Sequence, residues 1–169
     1  FDIAAREGRL AALQALLAAG VKVDGRDHNR ARATVLYIAA QQGHAQCVSL
    51  LIDAKADVNA APDNGATPTF IACENGHVES LERLSAANAN VHAVRSSDRA
   101  DVCSNVSPAL IASQNGHAAC LKLCIKAGAD VNASKDELRP IVEDLLDQQD
   151  FEQDQDEANE RGQPLTREY

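Results

Sequence analysis

His117, Cys120 and Cys124 are the residues of this sequence whose types and spacing come nearest to a metal site. Separations of three and four residues place all three side chains on one face of a helix, where an imidazole and two thiols could bind zinc. Zinc sites usually have four ligands, and this group supplies only three candidates. Two cysteines buried as small hydrophobic residues are the alternative.

The chain lacks the common sequence motifs of catalysis. It contains no glycine-rich phosphate loop, no Gly-x-Ser-x-Gly sequence and no His-Glu-x-x-His sequence. His44, His77 and His117 each follow a glycine, and a recurring set of this kind indicates a shared structural role at the start of a helix. We therefore predict that the protein is not an enzyme.

Two short segments are rich in arginine, which supplies planar bidentate donors for carboxylate or phosphate. The clustered basic residues are Arg26, His28, Arg30 and Arg32 in the first segment, and Arg95 and Arg99 in the second. We predict that these two arginine-rich segments bind an acidic segment of another protein. The chain's own acidic tail could compete for the same site. Turn arginines that only face water are the alternative.

Charge and hydrophobicity narrow the class of partner. The chain has 169 residues, of which 45% are hydrophobic and 3% aromatic, and a formal charge of -9. Residues 1–142 carry 15 acids against 14 bases, whereas residues 143–160 carry nine acids and no base. A nearly neutral body and few stacking aromatics predict that the protein does not bind nucleic acid. No apolar run approaches the roughly 18 residues that a membrane span needs.

The cysteine count bears on location. Five cysteines are an odd number in a chain too large to need disulfides, so we expect reduced thiols and an intracellular, cytoplasmic protein. The chain opens at Phe1 inside a helical pattern and contains no methionine. The natural N-terminus is therefore expected to precede Phe1, which leaves an organelle location open.

A glycine-histidine pair recurs along the chain. Spacings of 33 and 40 residues separate its three copies, which are Gly43-His44, Gly76-His77 and Gly116-His117. Each glycine lies nine residues after a hydroxyl residue, namely Thr34, Thr67 or Ser107. In this register Cys120 takes the position of Cys47, and Cys124 that of a core leucine. We therefore predict buried thiols, no metal ion and no cofactor.

The register also predicts the elements of each unit. A hydroxyl residue, followed by Pro68 or Pro108 in two units, favours a helix start. The glycine favours the end of that short helix, because a left-handed residue without Cβ is unstrained there. Apolar residues at helical spacing after the glycine predict a second, longer helix. Each unit is thus predicted to be a pair of antiparallel helices.

These features resemble the ankyrin-repeat family over roughly residues 1–133. The segments that carry the resemblance are Thr67-Pro68, Ala39-Ala40-Gln41-Gln42-Gly43-His44 and Gly128-Ala129-Asp130-Val131-Asn132-Ala133. The family's Leu-His at the start of each unit is replaced by Leu36-Tyr37, Thr69-Phe70 and Ala109-Leu110. The resemblance implies an all-α solenoid with units at about 1–25, 26–60, 61–93 and 94–133. We predict a degenerate C-terminal cap at 134–149 and an acidic, extended or disordered tail at 150–169.

The resemblance further implies a non-catalytic scaffold that binds another protein through its concave face and turn tips. A permanent structural subunit of a larger multiprotein assembly is the alternative function. The predicted protein-binding residues are Arg26, His28, Arg30, Arg32, Gln41, Gln42, Asp63, Asn64, Glu74, Asn75, Arg95, Arg99, Gln114 and Asn115.

Overall fold

Eight α-helices in four consecutive pairs form the secondary structure of the residues that the structure describes. The structure is a computed structural model, and it describes residues 1–26, 32–95 and 106–129. The pairs are α1 (Asp2–Arg6) with α2 (Leu10–Ala18), α3 (Val35–Gln42) with α4 (Ala45–Asp53), α5 (Pro68–Glu74) with α6 (Val78–Ala86), and α7 (Pro108–Gln114) with α8 (Ala118–Lys126). The predicted all-α class is confirmed. The predicted cap at 134–149 and tail at 150–169 lie outside the described residues.

The first helix of each later pair begins where the sequence predicts. The side-chain oxygens of Thr34, Thr67 and Ser107 each accept the backbone N–H of the third residue onward at 3.2 Å. Such a cap satisfies one of the N–H groups that a helix start leaves without a partner. At the other end, Gly43 closes α3 in the left-handed conformation with φ of 75°. Hydroxyl and glycine together therefore fix the length of the short helix.

The helices stack in two layers. Each first helix packs on the first helix of the next pair, and each second helix does the same. A buried stripe runs through the second helices at one repeat position, occupied by Leu13, Val48, Leu81 and Leu121.

Isolated antiparallel bridges join Arg26 to Thr34 and Arg95 to Val106 at the bases of two turn tips. No helix among the described residues is long and apolar enough to cross a membrane.

The cysteines of the described residues belong to this core. Cys47, Cys73, Cys120 and Cys124 are all buried and free. The prediction that Cys120 and Cys124 are small core residues is confirmed. Nowhere in the described part of the chain do three His, Cys, Asp or Glu side chains form a group that could hold a metal ion.

Ser80 carries a buried hydroxyl that has no hydrogen-bond partner among the residues that the structure describes. It lies in α6 and is fully buried, at the position that Cys47 and Cys120 occupy in other units. An unsatisfied buried donor costs roughly 1–3 kcal/mol. We therefore expect Ser80→Ala to raise the free energy of unfolding by about 1 kcal/mol, measured by urea denaturation.

Ser85→Ala is the matched control for this change. Ser85 lies in the same helix and is only half-buried, so its replacement reports the helix preference of alanine, worth about 0.5 kcal/mol. Equal gains from the two variants would show that the Ser80 hydroxyl costs nothing.

Candidate protein-binding surface

The predicted binding residues that the structure describes lie at the turn tips and at the C-terminal ends of the first helices. Gln42, Asp63, Asn64, Asn75 and Asn115 are exposed. The remaining members are exposed or half-buried: Arg26, Arg32, Gln41, Glu74, Arg95 and Gln114. His28, Arg30 and Arg99 lie outside the described residues. A role in binding stays a prediction for all of them.

One cluster brings together residues from three successive units, and we call it the Tyr37 cluster. Its members are Tyr37 in α3, Asn64 at the following tip, Phe70 and Glu74 in α5, and Arg95 before α7. Burial raises the pKa of the Tyr37 hydroxyl, while a hydrogen bond from Asn64 lowers it. Glu74 and Arg95 act on the same pKa in opposite directions. The ionisation of the phenol is therefore influenced by an amide, a carboxylate and a guanidinium.

Arg95 is held over an aromatic ring. Its guanidinium carbon lies 5.7 Å from the centroid of Phe70, a distance at which a cation is attracted to the face of the ring. Its Nη1 is 3.8 Å from Oε1 of Glu74, with the two side chains 37% and 30% exposed. That separation is too long for a hydrogen bond, so the contact is a weak, partly screened ion pair. Both charged groups therefore stay accessible to a partner.

Arg26 is predicted to bind a partner, but its side chain bonds to backbone oxygens of this chain. Its Nη1 donates to the backbone oxygen of Ala61 at 3.0 Å and reaches that of Arg32 at 3.4 Å. The bond to Ala61 ties the first tip to the second. Part of the donor capacity of Arg26 is therefore used to fix the tips relative to each other.

The side-chain amides at the helix ends bond to the neighbouring unit although their residues are exposed. Asn75 Nδ2 donates to the backbone oxygen of Gln41 at 3.1 Å, and Asn115 Nδ2 donates to that of Glu74 at 2.7 Å. Each bond links one unit to the C-terminal end of the preceding first helix, where carbonyls lack helical partners. Asn75 and Asn115 thus position the surface in addition to being exposed on it.

The recurring histidines connect neighbouring units. His44 Nε2 donates to the backbone oxygen of Arg6 at 2.9 Å, and His77 Nε2 donates to that of Gln41 at 3.0 Å. A Cβ at Gly43 would lie only 2.5 Å from Nδ1 of His77. Each of these rings therefore lies against the glycine of the preceding unit. The predicted structural role is confirmed, although the side chains bond between units and do not cap their own helices.

Tyr37 and Phe70 were missing from the predicted site. Both occupy the position where the family carries histidine, and this departure from the pattern was the available signal. Their side chains are buried, so neither residue was recognisable as part of a surface cluster from polarity alone. Phe70 contributes by supporting Arg95, and Tyr37 contributes through its hydroxyl.

Comparison with protein families agrees with this architecture. The family model described as ankyrin repeats, in three copies, matches residues 1–95, and a further ankyrin repeat matches residues 105–136. The chain therefore belongs to the ankyrin-repeat family. Ankyrin repeats are generally protein-protein interaction modules and are generally non-catalytic. No curated protein matches the chain.

Proposed function

We propose that this chain is a non-catalytic interaction module that binds a protein partner over the Tyr37 cluster and the adjoining tips and helix ends. The observation that carries the proposal is the convergence of side chains from three units on accessible, opposite charges. The tips and helix ends around them are tied by the Arg26, Asn75 and Asn115 bonds. A surface ordered before binding loses little conformational entropy when a partner docks.

The chemistry of the cluster favours a partner with an acidic segment. Arg95 is supported on Phe70 but makes no hydrogen bond to Glu74, and its planar donors suit a partner carboxylate. Glu74 would then accept a donor from the partner, such as a backbone N–H or a lysine. Such a segment would present an acid flanked by donors, and a uniformly acidic one would meet repulsion from Glu74.

Replacing Arg95 tests this proposal. Binding to fluorescein-labelled peptides that carry a single Asp or Glu among amide and hydroxyl residues is measured by fluorescence anisotropy at low salt. We expect Arg95→Gln to weaken binding about 10- to 100-fold, because a hydrogen bond to a charged group is worth about 1.5–3 kcal/mol. Peptides with Asn or Gln in place of the acid should bind the unchanged chain more weakly than the acidic peptides do, again by about 10- to 100-fold.

Arg83→Gln serves as the control. Arg83 is exposed on α6, in the layer of second helices, and its loss changes net charge by the same amount. Equal losses for the two variants would point to nonspecific charge attraction. A chain that binds acid and amide peptides equally would contradict the proposed recognition.

A further inference from the structure

Two buried thiols meet across the contact between the third and fourth helix pairs. Sγ of Cys73, in α5, lies 3.5 Å from Sγ of Cys124, in α8, and the two residues are 51 positions apart in sequence. Both side chains are fully buried. The two sulfurs are therefore within van der Waals contact in the folded chain.

The repeat shows that both positions differ from their counterparts. At the same two repeat positions the earlier contacts between units carry alanine and leucine, as Ala5 with Leu51 and Ala40 with Leu84. All four of these residues are fully buried as well. An apolar core at these positions therefore forms without any thiol. In the contact between the third and fourth pairs, cysteine has replaced both the alanine and the leucine.

We propose that Cys73 and Cys124 are the site of a reversible disulfide, formed by a small peroxide and broken by dithiols. A disulfide has an S–S length of about 2.05 Å, so the sulfurs at 3.5 Å must approach by about 1.5 Å. Closing this gap requires rotation of the two unbranched side chains and a small shift of α8. The inference goes beyond the proposed protein binding and does not depend on it.

The hydrogen bond between the thiols affects their pKa values in opposite directions. It raises the pKa of Cys73, as does burial, and it lowers the pKa of Cys124, against the effect of burial. Cys124 is therefore the thiol that ionises first, and the thiolate is the nucleophile in cysteine oxidation. Neighbouring Cys120 has a pKa raised to about 11, mainly by burial, so it competes poorly.

The reaction balances in two steps. The Cys124 thiolate attacks one peroxide oxygen, the O–O bond breaks, and the departing hydroxide is protonated to water, which leaves a sulfenic acid. Cys73 then attacks the Cys124 sulfur, the S–O bond breaks, and hydroxide leaves with the proton of Cys73 as a second water. Two thiols lose two electrons and two protons in all, and hydrogen peroxide is reduced to two waters.

Burial determines how fast the site is oxidised. Because neither thiol is exposed, peroxide must enter during local opening of the contact between α5 and α8. Oxidation is therefore expected to be slow, and to accelerate in urea concentrations too low to unfold the chain. Once formed, the bond closes a loop of 51 residues, and we expect it to raise Tm by about 10 °C.

The test uses the full reduced chain treated with hydrogen peroxide. Expected results are loss of two hydrogen atoms from the intact mass, a crosslinked peptide joining Cys73 to Cys124, and a higher Tm that dithiothreitol reverses. Cys73→Ala, which restores the residue of the preceding unit, should abolish all three. Cys47→Ala, which removes a buried thiol outside the pair, should abolish none.

Several outcomes would overturn the proposal. They are an intact mass that does not change, a crosslink to Cys120 or Cys103 in place of Cys73, and oxygen addition without a crosslink. If Cys73→Ala does not fold, Cys124→Leu takes its place, because leucine occupies that position in the three other units, as Leu16, Leu51 and Leu84. If the variant that folds still shows the mass loss and the Tm shift after peroxide treatment, the disulfide is not between Cys73 and Cys124.

Discussion

Ile71→Ala is expected to lower the free energy of unfolding by about 3 kcal/mol, whereas Ile3→Ala should change it by less than about 0.5 kcal/mol. The two isoleucines hold the same repeat position, five residues before the glycine of their units. Their surroundings differ, since Ile71 is 4% exposed and Ile3 is 64% exposed. The same deletion of side-chain atoms therefore leaves a cavity in one unit and only trims a solvated side chain in the other.

The two variants change the same position of the unit, so the difference between their free energies of unfolding reports where each unit lies in the stack. Ile71 lies in α5, which packs between α3 and α7, so its side chain loses contacts that the rigid neighbours cannot replace. Urea denaturation followed by circular dichroism gives both changes. Equal losses at the two sites would mean that the first pair of this chain is as well covered as the third.

Gly43→Ala is expected to lower the free energy of unfolding by about 2–3 kcal/mol, for two reasons that add. An L-residue with φ of 75° loses roughly 1–2 kcal/mol relative to glycine. The new methyl group would also lie 2.5 Å from the His77 ring. The ring must move, and it then loses its hydrogen bond to the Gln41 carbonyl, which is worth about 1 kcal/mol.

Gly116→Ala separates the two causes. Gly116 has nearly the same φ, 74°, but nothing described lies within 4 Å of the Cβ it would gain. We expect Gly116→Ala to lower the free energy of unfolding only by the backbone strain, roughly 1–2 kcal/mol. The difference in urea midpoints between Gly43→Ala and Gly116→Ala thus reports the histidine contact. Identical midpoints would show that the rings do not couple the units.

Elements that depend on residues close in sequence were predictable. Thr67 and Pro68 start a helix and Gly76 ends it because capping and left-handed geometry involve neighbours within four residues. The burial of Cys120 and Cys124 also followed from sequence, since the repeat aligned them with other core positions. In these cases, interactions between nearby residues and alignment of the repeats were sufficient to predict the structure.

The candidate site was predictable only in part. Exposed Asn75 was placed correctly at the end of a first helix, but its bond to the Gln41 carbonyl crosses 34 positions of the chain. Arg26 likewise reaches a carbonyl 35 positions away. Polarity predicted that these side chains lie at the surface, but it could not indicate how much of their hydrogen bonding the stack already uses.

The sequence by itself determined the repeat, the start and end of the first helix in the later units, and the family, because each of these depends on spacing along the chain. The residues that could line a surface stay a prediction from the same spacing. Tertiary structure alone decided that Ile71 is buried where Ile3 is exposed, that Tyr37 and Phe70 join Arg95, and that Cys73 meets Cys124. Those facts depend on which units are neighbours. Stacking brings together residues tens of positions apart, and no local pattern records which side chains then touch.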